Sequence, residues 1–474
     1  MEPYTLRIPA ILAFGIFILF FNFSLQAKGD YPEYDEEQII ERLEAIEDPL
    51  LEYRFNSIVR GYLKGYLYWN RRKAELVTGR AVMYYPMIEQ YLKEYNLPEK
   101  LKYLPVVESA LNPHAVSPVG AVGLWQFMPG TALDHGLKIN KLVDERKDPH
   151  KSTQAALSYL DREYKKYGSW ALALAAYNGG SGRVSRAIKR GRSKNFWKIR
   201  RYLPRETRNY VPAYIAATYL MEYYKEHEVE PEYPSLELQI SEYTKVYHTV
   251  SFHRIAQVTG LSLDVIELLN PAYKRKIIPE NSEGNYLILP SRVMPDFKAY
   301  LESLRPDQTE EPYFDDTPVK VNQEAAEVEA ENYVKAYYHV GKEESLSEVA
   351  KFLKCTVHQL VAWNKLKSEQ LQAGQELVFY QPKDLIRIPV VEPMEVPPTL
   401  ETAGLVSSLE PMSAEPSAPL RDYVVYIVTT RENLSRLADR LPGVSFPMLL
   451  DYNQLSKDRK VTPGERIKVP IPVE

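Results

Sequence analysis

The first residue whose surroundings suit chemistry is an acid in an apolar setting. Glu108 lies in Tyr103-Leu104-Pro105-Val106-Val107-Glu108-Ser109-Ala110-Leu111, where the only ionisable neighbours are Lys102 and Tyr103. Burial disfavours a carboxylate and raises its pKa, the condition a general acid needs near neutral pH. An acid on the wet face of an amphipathic helix would look the same locally, so later segments must decide. Ser117-Pro118-Val119-Gly120-Ala121-Val122-Gly123-Leu124-Trp125-Gln126-Phe127-Met128-Pro129-Gly130-Thr131 is the first of these. Its glycines permit a tight turn and close backbone approach, and Trp125 and Gln126 offer a flat apolar face beside a donor and an acceptor. Ala175-Ala176-Tyr177-Asn178-Gly179-Gly180 ends an alanine-rich helix, with Asn-Gly as the expected stop. Glu206-Thr207-Arg208-Asn209-Tyr210-Val211-Pro212-Ala213-Tyr214 opens another helix.

Other chemistries find little support. None of the eight histidines forms the i, i+4 pair flanked by glutamate that a zinc hydrolase uses, so no metal and no cofactor is expected. The one cysteine, Cys355, sits in Phe352-Leu353-Lys354-Cys355 and reads as a small buried residue; alone, it forbids an internal disulfide. There is no Gly-x-Ser-x-Gly elbow and no phosphate-binding glycine loop. With Lys+Arg 59 against Asp+Glu 63 the net charge is -4, which gives nucleic acid no global electrostatic footprint.

The elements that must hold these residues follow from the whole chain. Its 474 residues are 45% hydrophobic and 26% charged, a globular composition, and length alone suggests about three folded units. Arg7 precedes an apolar run of fourteen residues, Ile8 to Phe21. That suits a signal-peptide core better than a membrane span of about 20 residues. Residues 1–27 are therefore expected to export the chain, with cleavage after Ala27, or else to stay as a membrane anchor; no cysteine near their end could carry a lipoprotein acyl group. From Tyr34 to Tyr224 apolar residues recur at three and four, which predicts helix after helix. We divide this region into a helical extension (28–80) and a helical domain (81–225).

Beyond Glu230 one pattern occurs three times. Tyr247-His248-Thr249-Val250, Ile255-Ala256, Asn270-Pro271 and Tyr286-Leu287-Ile288-Leu289-Pro290 form the first copy. The second runs through Tyr338-His339-Val340, Val349-Ala350, Asn364 and Leu377-Val378-Phe379, and the third through Tyr426-Ile427-Val428, Leu437-Ala438, Asn453 and Ile467-Lys468-Val469-Pro470. Alanine-to-asparagine spacings of 14, 14 and 15 agree closely. Each copy reads as a strand, two helices and a strand, giving modules at 243–291 (divergent), 333–381 and 422–472. An acidic linker (303–332) and a linker (382–421), which holds eight prolines between Pro382 and Pro419, separate them as spacers.

Glu108-Ser109, Gly123-Leu124-Trp125-Gln126, Ala176-Tyr177-Asn178 and Tyr210, in that order and with Asp144-Glu145-Arg146-Lys147-Asp148-Pro149 between them, closely resemble the motif series of the family 1 lytic transglycosylases. The resemblance runs from about Tyr84 to Tyr224 and implies a mainly α, goose-lysozyme-like catalytic domain. The three repeats resemble LysM modules, small α+β (βααβ) units that bind N-acetylglucosamine-containing glycans. What the resemblance implies is cleavage of peptidoglycan glycan strands, with Glu108 as the catalytic acid and base. Ser117 and Gln126 would contact the sugar beside the scissile bond, Tyr177 and Asn178 would line the floor, and Tyr210 would orient Glu108. The motifs supply a single acid, and Asp144 and Asp148 read as structural. A goose-type lysozyme-like hydrolase and a non-catalytic wall-binding protein are the alternatives.

Overall fold

The computed structural model describes residues 35–304, 332–383, 422–427, 446–453, 455–456 and 466–471. The expected leader, nearly all of both linkers and the first helix of the third repeat lie outside the described residues. Among those described, no helix is long and apolar enough to cross a membrane. The chain divides into two compact units. One holds the helical region, the first repeat and Thr356–Lys367; the other holds the rest of the second and third repeats.

In the first unit the helical region builds on α1 (Glu36–Glu44), α2 (Ser57–Lys64), the long α3 (Arg71–Glu94) and the short α4 (Leu104–Ser109). After α5 (Pro129–Asp134) come α6 (Pro149–Tyr167), α7 (Trp170–Gly179), α8 (Ser181–Gly191), α9 (Phe196–Ile199), α10 (Arg205–Tyr223) and α11 (Leu236–Gln239). Side chains fix these limits. Asp148 caps α6 by accepting from the His150 and Lys151 amides at 2.9 Å, Pro149 takes the first helical position, and Gly168 closes the helix with φ 65°. The division expected at residue 80 falls inside α3, and Ile39, Leu63, Ile88, Leu92 and Leu104 share one core, so extension and helical domain pack together.

The succession of helices expected from Tyr34 to Tyr224 is interrupted by loops at residues 110–128 and 136–144. The turn begins where Ala110 and Leu111 both adopt left-handed backbone, at φ 53° and 56°, which no helix can continue. Fully buried Leu111 anchors that turn in the core.

The structure also gives a reason for some of the chain's 36 tyrosines. Several bury their rings and spend the hydroxyl on a carbonyl elsewhere in the chain. Tyr214 donates to Lys100 O at 2.6 Å, Tyr223 to Arg42 O at 2.8 Å, Tyr167 to Ser181 O at 2.8 Å and Tyr159 to Ala176 O at 3.2 Å. Each supplies core area and satisfies a backbone acceptor at once.

The first repeat contains β1 (Ser241–Val246), β2 (Val250–Ser251), α12 (Phe252–Thr259), α13 (Leu263–Leu269), β3 (Ile277–Ile278) and β4 (Asn285–Pro290), followed by α14 (Met294–Ser303). β1 and β4 pair antiparallel from Ser241↔Pro290 to Val246↔Asn285. The expected first strand, Tyr247 to Val250, instead follows β1 as a turn and leads into a second small pair, β2 with β3. The pattern's Asn270 is buried and bonds Ile288 by both amide atoms, at 2.7 and 2.8 Å, which ties α13 to β4.

The second repeat runs β5 (Tyr333–His339), α15 (Leu346–Phe352), α16 (Val357–Asn364) and β6 (Glu376–Pro382), with β5 and β6 antiparallel. Both helices open on capping boxes, Ser345 with Glu348 and Thr356 with Gln359. Of the third repeat, β7 (Asp422–Ile427), α17 (Phe446–Tyr452) and β8 (Arg466–Ile471) are described, and β7 pairs antiparallel with β8.

Candidate active site

Glu108 sits in the last turn of α4, a six-residue helix with Pro105 in its first turn. Part of the residue stays open to solvent, while its carboxyl is closely surrounded on the protein side. Burial raises the Glu108 pKa to about 8; the Tyr210 hydroxyl bond pulls it down, and the charge of Glu206 pushes it up. The group is therefore a protonated acid at neutral pH.

Tyr210 is 4% exposed, on the second turn of α10, and donates its hydroxyl to Glu108 Oε1. Burial, with the neighbouring carboxyl, holds its phenol well above the ordinary tyrosine range, so it remains a neutral donor. Pro212 lies inside α10 and leaves Arg208 O without its helical donor. Arg200 Nε supplies the missing bond at 2.8 Å. In Tyr210→Phe the Glu108 carboxyl is expected to titrate above about 8, because the bond that favours its charged form is gone. Carbon-13 NMR of the labelled carboxyl reads this directly.

The loop that follows α4 folds back beside Glu108. Ser109 Oγ donates to Leu124 O at 2.9 Å and accepts from the Asn112 amide at 3.1 Å, so its hydroxyl ties helix end to loop. Ser117 is buried and closes a small turn, accepting the Ala121 amide on Oγ at 2.9 Å. Gln126, with φ 49°, spends its amide hydrogens on Gly123 O at 2.8 Å and Ala115 O at 3.3 Å, leaving Oε1 as the group it can offer. Trp125 differs from expectation. It is fully buried and its indole donates to Thr153 Oγ1 at 2.8 Å, so it is a core residue and presents no flat face to a ligand.

On α7, Tyr177 donates to Trp125 O at 2.8 Å and packs edge-on against Phe127. Burial and the Glu108 charge hold its phenol well above the usual range. Asn178 beside it has both amide atoms buried and without a hydrogen-bond partner. An unpaired buried amide is uncommon and calls for an explanation. Tyr210 thus bonds Glu108, Tyr177 lies close enough to feel its charge, and the loop that carries Ser117 and Gln126 is tied to α4 through Ser109 and to α7 through Tyr177.

Two contributors were not singled out from sequence. Glu206, four residues before Tyr210 on α10, shares its helix face and adds negative charge near Glu108; the i, i+4 spacing was the available signal. Arg146 grips the loop, donating to Gly120 O at 2.9 Å and Phe127 O at 3.3 Å. Nothing local in the sequence announces that contact.

Parts of the chain are similar to known proteins. Residues 86–200 match the family model "Transglycosylase SLT domain", 242–306 match "Lytic transglycosylase MltD, LysM-like domain", and 338–379 and 426–470 match "LysM domain". The chain is 29% identical over 420 residues, 87% of its length and 81% of the relative's, to the membrane-bound lytic murein transglycosylase D of Escherichia coli. It is 45% identical over 83 residues, 16% of this chain and 13% of that one, to the soluble lytic murein transglycosylase of Salmonella typhimurium. Among solved structures, the 70 kDa soluble lytic transglycosylase SLT70 of Escherichia coli aligns at 28% identity over 31% of this chain and 25% of its own, with a TM-score of 0.27.

Proposed function

We infer that this chain, with its transglycosylase SLT domain followed by LysM modules, is a peptidoglycan lytic transglycosylase of the cell envelope. The observation that carries the reading is Glu108, an acid protonated up to about pH 8 and bonded by a neutral tyrosine donor. Glu108 protonates the oxygen of the MurNAc-β-1,4-GlcNAc bond, and the bond to C1 breaks. The resulting carboxylate then takes the proton of the C6 hydroxyl of the same MurNAc as that oxygen attacks C1. The products are a 1,6-anhydro-MurNAc end and a free GlcNAc hydroxyl, and no water is consumed. One carboxylate suffices because the nucleophile is tethered to the reacting sugar.

Around that step Tyr210 orients the carboxyl. Ser117 and Gln126 contact the sugar beside the scissile bond, and Tyr177 and Asn178 line the floor. The unpaired amide of Asn178 supports this, since an N-acetyl or hydroxyl group would satisfy it. The LysM modules hold the glycan. Several weak sites on one chain gain through effective concentration, which suits an insoluble polymer. The leader exports the chain, and if uncleaved it adds membrane attachment.

The proximity of Glu206 favours a second reading, a goose-type lysozyme-like hydrolase, because two carboxylates are what water-consuming glycosidases use. Mass spectrometry of fragments released from purified sacculi separates the two. Anhydro ends, one water lighter than reducing ends, are the expected result; reducing ends would establish the hydrolase instead.

A further inference from the structure

One cation holds the loop that carries Gly123, Leu124, Trp125 and Gln126. Arg146 is 7% exposed, and four of the five guanidinium N–H groups have partners: Nε on Asp144 Oδ1 at 2.8 Å, Nη2 on Asp144 Oδ2 at 2.7 Å, and Nη1 on Gly120 O and Phe127 O. Those two carbonyls bracket the loop. Its middle is tied to the walls of the site, Leu124 O to Ser109 and Trp125 O to Tyr177. A rigid, bidentate pair is the arrangement that fixes geometry as well as charge.

The segment that bears this pair is itself seated on the first LysM-like module. The Asp144 amide donates to Ala272 O at 2.8 Å, and the Lys274 amide donates to Leu142 O at 2.8 Å. Val143 bridges Tyr273 and is 5% exposed, inside the same hydrophobic cluster as Phe252, Ile255 and Leu287. Lys274 Nζ adds a bond to Asn140 O at 2.7 Å. A continuous path of short contacts thus runs from the core of the module, through Val143 and Asp144, to Arg146 and the loop beside Glu108.

We propose that Arg146 is a positioning residue for the site loop and that the first LysM-like module is its brace, so that this module acts on the cleavage step itself. Its consequence for rate rests on the lytic transglycosylase reading; its consequence for the loop does not. A displacement of about 1 Å in a positioning element can lower a rate about a hundredfold.

The test uses the full chain and two variants, Arg146→Ala and Val143→Asp. Hydrogen exchange is followed at the Val122, Gly123 and Phe127 amides, which bond Phe127 O, Ala115 O and Val122 O. Both variants are expected to exchange there at least about tenfold faster, with α7 still protected. On soluble glycan strands kcat is expected to fall about a hundredfold with little change in KM, and guanidinium ion is expected to restore part of it in Arg146→Ala. Should protection be lost throughout the helical domain, Arg146→Lys and Val143→Ala replace them, with smaller changes of the same kind expected. Unchanged loop exchange in folded variants overturns the proposal whatever the activity. A raised KM at native kcat in folded Val143→Asp or Val143→Ala overturns the brace as well, since the module would then act through binding alone. A native chain without lytic activity would overturn the function reading and leave the exchange result standing.

Discussion

Glu108→Gln is expected to lower glycan cleavage by about a thousandfold or more while the chain stays folded and still binds sacculi. Loss of a positioned acid and base removes about 10² to 10⁴ in rate for each role it plays, and here one side chain serves both. Glutamine keeps the volume and can still accept the Tyr210 hydroxyl, so the wall should not collapse. The measurement is anhydro-muropeptide release from sacculi, beside a sedimentation assay for binding. Retained cleavage in a folded Glu108→Gln protein would sink the assignment of this residue.

The same substitution carries a stability signature with a definite sign. The folded pKa of about 8 lies above the ordinary 4.5, so between those values the native state holds a proton that the unfolded state has released. Native stability must then fall as pH rises from about 4.5 to 8, with the full penalty of a buried carboxylate present above 8. Glutamine has no such slope. Melting temperatures at pH 5, 7 and 9 should show Glu108→Gln gaining on the native chain as pH rises. The activity of the native chain should fall through the same alkaline limb, where the acid loses its proton.

How much of this was legible in the residues divides along physical lines. Local rules carried far. The Asn-Gly at the end of α7 was readable from nearest neighbours in sequence; Asp148 and Pro149 at the start of α6 and the capping boxes of the second repeat are equally local, though they were not singled out. The contact between Glu108 and Tyr210 followed from the motif order rather than from any local feature. Trp125 was misjudged because a residue type says what a side chain can offer and not which way it faces; an indole N–H that finds Thr153 across the loop is satisfied inside the core. Arg146 escaped because its partners, Gly120 and Phe127, are carbonyls. Any residue has one, so no choice of side chain marks them. The seat of Val143 in the module's core is hidden for the same reason that long-range packing is generally hidden: an apolar residue on a loop announces burial but not against what.

Gly123→Ala is expected to lower cleavage about a hundredfold or more, for a reason that involves no catalytic group. Gly123 holds φ at +87°, and a Cβ there would lie 1.8 Å from Arg146 O and 2.8 Å from Arg146 C, both backbone atoms that cannot rotate aside. The loop or the 144–148 segment must move, and either motion pulls on the bonds to Gly120 and Phe127. Gly120, three residues earlier, is the control. Its φ is +88°, yet nothing lies within 4 Å of the Cβ position. Gly120→Ala therefore bears only the strain of left-handed backbone, about 1–3 kcal/mol, with the site geometry kept. Comparing the two variants separates conformational strain from displacement: cleavage should drop about a hundredfold or more in Gly123→Ala and by far less in Gly120→Ala. Equal losses in both would mean that backbone preference, and not the close approach of Arg146, is what position 123 requires.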